Sequence, residues 1–204
     1  MFPLPLQILV KDIVENPGRY TWAGFDGSVC VYFAPNARLT IYHASQPEER
    51  LPELPHTHVD DFRSVVVFGV MRERRYWVPQ ADEGAVSSFH DLTNEGNAIG
   101  EMGSCRLASG PALAYRAGES YEISASAIHA AFPDQGTVTF IQFLGKTRPG
   151  YYRAFFAPGS DLAQQARRAP VSKQLVEQAC AFVLGKLRAP RPAQSEQQKE
   201  VIEK

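Results

Sequence analysis

The chain has 204 residues, 44% hydrophobic and 21% charged, enough to bury roughly 70% of its unfolded surface as one domain with appendages. Twenty-one Lys and Arg against 22 Asp and Glu leave a formal charge of −1, so no global field selects nucleic acid or an anionic membrane as partner. No apolar run approaches the roughly 18 residues of a membrane span, residues 1–10 lack the basic n-region of a signal peptide, and Cys30, Cys105 and Cys180 are too few and scattered for a disulfide framework or a Cys-based zinc site; a cytoplasmic protein with reduced thiols is expected.

Leu6, Leu9, Ile13 and Val14 share one helical face ahead of the turn signal Asn16-Pro17-Gly18, which predicts a short docking helix in a segment 1–18. From Tyr20 the pattern becomes short β-rich runs: Ser28 to Phe33, Arg38 to His43, Ser64 to Val70, Arg72 to Val78, Ala112 to Arg116, Ser120 to Ile123 and Thr137 to Leu144. Pro, Gly, Asn and Asp punctuate them, as in a sandwich or barrel over 19–158. Pro79 to Gly110 is polar and poorly periodic, a long excursion with room for one hairpin. Behind Ala169-Pro170, the residues Val171, Leu175, Val176, Ala179, Phe182, Val183 and Leu187 form one apolar helical stripe, giving a helical extension over 159–188. Residues 189–204 have almost nothing to bury and are expected to be disordered.

Two of the five histidines stand in Pro55-His56-Thr57-His58, at the mouth of a β-forming segment. Residues two apart on a strand project to the same side, so both imidazoles can reach one cation. A third ligand must come from another strand, and His129, in Ser124-Ala125-Ser126-Ala127-Ile128-His129 beyond the turn-like Gly118, is placed to supply it. His43 and His90 receive no role.

The arrangement resembles the cupin superfamily, with its first motif Gly-x5-His-x-His-x3/4-Glu-x6-Gly and second motif Gly-x5-Pro-x-Gly-x2-His-x3-Asn. His56, His58 and Gly69 keep the first spacing, with Phe62 or Arg63 where the glutamate would stand. Gly118, Ser124, Ser126 and His129 keep the second, with Pro133 in the place of Asn. The resemblance spans about Arg38 to Lys146 and implies a mainly β fold, a double-stranded β-helix or jelly-roll barrel flanked here by N- and C-terminal helices. It implies a mononuclear metal on His56, His58 and His129. Three neutral imidazoles leave a divalent cation its full double charge and favour anionic co-ligands. The all-histidine set is similar to that of the thiol dioxygenases of the superfamily, cysteine dioxygenase among them, which makes Fe(II) the favoured ion. Zinc, manganese, nickel and copper stay open because imidazole suits several of them.

An alternative register uses His58, Asp60 and His129 as the two-histidine, one-carboxylate triad of 2-oxoglutarate oxygenases; Asp60 or Asp61 could equally orient His58 from outside the ligand set. For the carboxylate of a substrate, Arg63, Arg72 and Arg74 are the candidates, because guanidinium matches it in a two-point fork. On a strand Arg72 and Arg74 share a face that Arg75 opposes, so at most two of the three can point inward. Tyr42, Tyr115 and Tyr121 are candidate proton donors or pocket-lining groups, against the plainer reading of sheet packing; Tyr42, Arg63 and Tyr115 are taken as the catalytic set. The expected activity is oxidation of a small anionic molecule, with O2 as candidate co-substrate. A non-catalytic sensor and a metal-dependent isomerase or lyase of a sugar or keto acid are the competing readings. Barrel edges and the apolar C-terminal stripe make a homodimer an expectation.

Overall fold

The N-terminal apolar periodicity becomes helix α1 (Leu4–Glu15), which stops where Pro17 opens a single 3-10 turn, Pro17–Arg19. A computed structural model describes residues 4–25, 28–42, 54–80, 83–93, 99, 103–146, 150–159 and 171–188. The expected tail over 189–204 and His43 lie outside these residues. Eleven strands follow the 3-10 turn: β1 (Thr21–Phe25), β2 (Ser28–Ala34), β3 (Ala37–Tyr42), β4 (Asp60–Phe68), β5 (Val70–Trp77), β6 (Ala85–Thr93), β7 (Gly103–Arg116), β8 (Ser120–Ile123), β9 (Ile128–Pro133), β10 (Thr137–Lys146) and β11 (Tyr151–Phe156). Helix α2 (Lys173–Arg188) ends the described chain. Ser172 caps it, its hydroxyl accepting the Leu175 N–H at 3.2 Å. No helix among the described residues is long and apolar enough to cross a membrane.

The strands form two antiparallel sheets, ordered β1-β2-β3-β10-β4-β8 and β11-β6-β7-β5-β9. From β7 onward the chain changes sheet at every strand, β8 and β10 joining the first and β9 and β11 the second. That alternation is the jelly roll expected from the punctuated β pattern. Gly69 makes the change from β4 to β5. Its φ is +78°, and a Cβ there would lie 2.7 Å from Thr137 Oγ1 and 2.8 Å from Thr137 Cα, so only glycine fits this corner without strain.

The first sheet is buried on both faces. Val29, Val31, Leu39, Ile41, Val67 and Val138 turn outward beneath Val10, Ile13 and Val14 of α1 and Ala179, Cys180 and Val183 of α2. Between the sheets lie Phe62, Val66, Met71, Tyr121, Ile123 and Ile141, with Tyr42, Tyr115 and Phe143 against them. The two terminal helices thus act as a lid on one sheet, while the opposite face of that sheet is left to line the interior.

Within the excursion expected over 79–110, the described residues include strand β6 and the start of β7. Ala85–Phe89 of β6 pairs with Gly103–Leu107 of β7, and Ser88–Thr93 of β6 pairs with Tyr151–Phe156 of β11. Its alternation is faint because most of β6 is only half-buried, so burial imposes little periodicity. Nor does Gly110-Pro111 end a segment as a breaker should. Tyr76 pairs with Ser109 and Arg74 with Ala112, leaving Gly110 and Pro111 together opposite Arg75. This is a β-bulge, one of the few sheet positions that tolerates proline, and β7 continues through it. Strands β1 and β11 are short sheet edges without the alternation that would announce them.

Candidate metal centre

Pro55 to His58 is a strap laid between two strands of the second sheet. The His56 N–H donates to His129 O at 2.8 Å and the His129 N–H returns to His56 O at 3.0 Å, while on the other side Thr57 N–H reaches Arg153 O at 2.8 Å and Phe155 N–H reaches Pro55 O at 2.9 Å. The strap therefore bridges β9 and β11. His56 and His129 form a directly opposed antiparallel pair, whose side chains share a face, and His58 joins them two residues along. His58 is held by its own N–H to Ala125 O at 3.0 Å. Ser124 and Ser126, at the motif positions of Pro and Gly, flank that contact and bond to each other at 3.2 Å.

The three rings form a nearly equilateral cluster, with centroid separations of 4.7, 4.9 and 4.9 Å. One ring nitrogen from each of His56, His58 and His129 lies within 4.8 Å of the others. His56 Nδ1 sits 2.9 Å from Leu54 O; a carbonyl only accepts, so this nitrogen carries the proton and Nε2 keeps a free lone pair. His58 Nε2 and His129 Nε2 face each other at 2.7 Å. Two neutral imine nitrogens at that separation repel unless a proton on one of them or a shared cation supplies positive charge.

The His56 and His58 imidazoles are held neutral. Burial, then the neighbouring His129 and the Arg38 charge, pull His56 down to about 3. Burial, with His56, His129, Arg38 and Arg75 adding to it, holds His58 well below its ordinary value. Imidazoles kept neutral keep their lone pairs available, the state a metal ligand needs. The donor set thus fits a divalent ion with His56, His58 and His129 as its ligands. Asp60 is not in the cluster among the described residues; it pairs with Lys146 across β4 and β10. Neighbouring Asp61 accepts the Ala125 N–H at 2.6 Å, which fastens the loop that holds His58.

The arginines sort by face. Arg63 is exposed and paired with Glu122, its Nε 2.8 Å from Oε1. Arg72 pairs with Asp134 at the surface, and Arg74 lies over the Phe132 ring, 5.8 Å from its centroid. None of the three is brought to the histidines. On β5 the interior face is Met71, Glu73 and Arg75, for Met71 belongs to the inter-sheet core and Glu73 is wholly buried. Arg75 stands directly opposite His129 and donates to Glu122 O at 2.9 Å. Arg38 projects inward from β3, its guanidinium 5.6 Å from the Phe143 ring centroid and its Nε buried without a hydrogen-bond partner. Glu73 and Arg38 escape the sequence reading, and Arg75 enters it only as the residue opposing Arg72 and Arg74; for Arg38 a charge set among apolar residues in a strong β run was the available sign.

Tyr42 packs on the inter-sheet core. Tyr115 stacks on Tyr121 with centroids 4.4 Å apart. Burial, with nearby Glu73, pushes Tyr121 up to about 12, and burial also raises Tyr115, whose hydroxyl lies beside Glu73. Both phenols stay protonated at neutral pH. His90 sits on β6 with its ring 5.9 Å from that of Phe156, outside the cluster.

No family model and no curated protein matches the chain. Among solved structures it is similar to Drosophila melanogaster CENP-C bound to CAL1 (TM-score 0.38, 9% identity, covering 68% of this chain and 96% of that one). It is also similar to the Drosophila melanogaster CENP-C cupin domain (0.33, 12%, 61% and 74%). A third is hydroquinone 1,2-dioxygenase from Sphingomonas sp. TTNP3 with 4-hydroxybenzoate bound (0.34, 13%, 61% and 69%). At such scores and identities these likenesses say nothing about function, which rests on the three imidazoles and the charges around them.

Proposed function

We propose that this protein is a mononuclear metalloprotein of the three-histidine cupin type, resembling the cysteine dioxygenase group, that oxidises a small carboxylate or thiol-carboxylate. The observation that carries the reading is the convergence of His56, His58 and His129 nitrogens within 4.8 Å. Fe(II) is the ion assigned first. Such an ion supplies charge stabilisation and adjacent open positions for an anion and O2.

The chain's own residues supply the rest. Arg75 and Arg38 bring two positive charges near the imidazoles, each depressing His58, against the buried carboxylate of Glu73. This field attracts an anion and repels a cationic substrate. Of the tyrosines proposed as proton donors, Tyr115 and Tyr42 line the interior; Arg63 faces Glu122 instead, which moves the proposed anion contact to Arg75 and Arg38.

Anaerobic purification, metal quantification by mass spectrometry and O2 uptake on a panel of thiols and carboxylates test this directly. Stoichiometric metal with O2 uptake on an anionic substrate is expected. Metal without turnover on any candidate favours a sensor, and turnover without O2 favours an isomerase or lyase. The His58, Asp60, His129 alternative predicts that Asp60→Ala abolishes metal binding while His56→Ala spares it; the three-imidazole reading predicts the reverse.

A further inference from the structure

Glu73 has none of its surface exposed, and a buried carboxylate is costly unless something holds it. Arg75 Nε is ion-paired with it on the same strand face, and the Tyr115 hydroxyl lies beside it. Tyr121 is also near, and His129 Nδ1 is 3.5 Å from Glu73 Oε1. Neither Glu73 oxygen has a hydrogen bond of regular geometry, and neither does His129 Nδ1. Two buried groups, one able to donate and one only able to accept, thus face each other across a gap slightly longer than a hydrogen bond. The register explains why. Arg75 opposes His129 and Glu73 opposes Ala131 on β5 and β9, so Glu73 is the diagonal neighbour of His129 on the same face.

We propose that Glu73 is a positioning residue for His129. It accepts the Nδ1 proton, holds the ring in the tautomer whose Nε2 lone pair points at His56 and His58, and sets a negative charge behind the imidazole. The inference rests on the three-histidine metal reading and extends it. The carboxylate missing at Phe62 and Arg63 is replaced from a different strand, acting through an imidazole instead of on the ion. Acting through the ring, the carboxylate would raise the basicity of the His129 ligand without occupying a position on the ion, so the remaining positions stay open to anionic co-ligands. Arg75 holds the carboxylate in place through their ion pair.

The test uses the full chain as wild type, Glu73→Gln, Glu73→Ala and, as control, His90→Ala. Co(II) and Zn(II) affinities are measured by chelator competition, thermal unfolding is followed without metal, and long-range ¹H–¹⁵N NMR of the Zn(II)-loaded protein reads the His129 tautomer. Wild type is expected to carry the His129 proton on Nδ1, slow to exchange. Glu73→Ala is expected to lose about 10–100-fold in metal affinity, and Glu73→Gln less, since its amide oxygen still accepts but carries no charge. His90→Ala should bind as wild type does. Equal affinities in wild type and both Glu73 variants, or a wild-type proton on Nε2, would overturn the assignment while leaving the metal centre standing. A wild type that binds neither ion removes the metal reading and this inference with it. Should Glu73→Ala fail to fold, the nearly isosteric Glu73→Gln and the wild-type tautomer decide.

Discussion

His56 and His129 exchange both of their backbone hydrogen bonds, at 2.8 and 3.0 Å, so two of the three imidazoles are held side by side by main-chain pairing. The orientation of a ligand pair is thereby built into the sheet, and the entropy of bringing the rings together is lost during folding instead of on binding.

Removal of single rings should therefore separate ligand loss from fold loss. His58→Ala and His129→Ala are each expected to weaken Zn(II) binding by more than the roughly 10–100-fold of an outer hydrogen-bond partner, with the backbone bridges intact. Isothermal titration measures the affinity and circular dichroism the fold. Thr57→Pro keeps all three rings but deletes the N–H that reaches Arg153 O; it should also lower affinity, by loosening the strap. Wild-type affinity in Thr57→Pro would show that the strap does not preorganise the site.

Glycine substitutions should have opposite signs at two positions. At Gly69 the left-handed φ and the approach to the Thr137 backbone predict that Gly69→Ala costs roughly 2–5 kcal/mol, strain and overpacking together. Gly185 is in α2 with nothing within 4 Å of an added Cβ, so Gly185→Ala should stabilise by about 0.4–1 kcal/mol. Urea unfolding of both variants checks the pair.

Attachment of α1 should weaken in acid. The Tyr20 hydroxyl donates to Asp12 and, with the Arg19 charge and Asn16, holds the Asp12 carboxyl below its ordinary 3.8. A depressed carboxyl stabilises the fold above its unfolded pKa and loses that contribution as pH falls through the folded one. Unfolding followed by fluorescence of Trp22, whose indole N–H donates to Pro17 O at 2.9 Å, should show stability dropping below about pH 4. Tyr20→Phe should flatten that dependence; an unchanged profile would mean the pair does not govern α1.

The thiols should react in order of burial. Burial pushes Cys180 up to about 11, and it lies with Ala179 and Val183 on the buried face of α2. Cys30 is also buried, whereas Cys105 is only partly so. A disulfide reagent at pH 8 should modify Cys105 first and reach Cys180 only on unfolding. Fast modification of Cys180 in native conditions would show that α2 undocks.

The amino-acid order alone determined what depends on near neighbours. His56-x-His58 shares a face because strand side chains alternate every two residues, and both terminal helices were legible from apolar residues recurring on one face. Gly69 was legible only as a motif position; the run read from Ser64 to Val70 passes through it, and its left-handed φ is seen only in the fold. His129 was legible from motif spacing, not from chemistry of its own. Only the tertiary structure decided which face of β5 turned inward, setting Glu73 and Arg75 beside His129, sending Arg72 to the surface and laying Arg74 over Phe132. It also decided that Gly110-Pro111 bulges within β7 and that β1, β6 and β11 are strands. The physical reason is that inward and outward are properties of cross-strand register. A one-residue slip inverts every side chain, and the partner strand that sets the register comes from far along the chain.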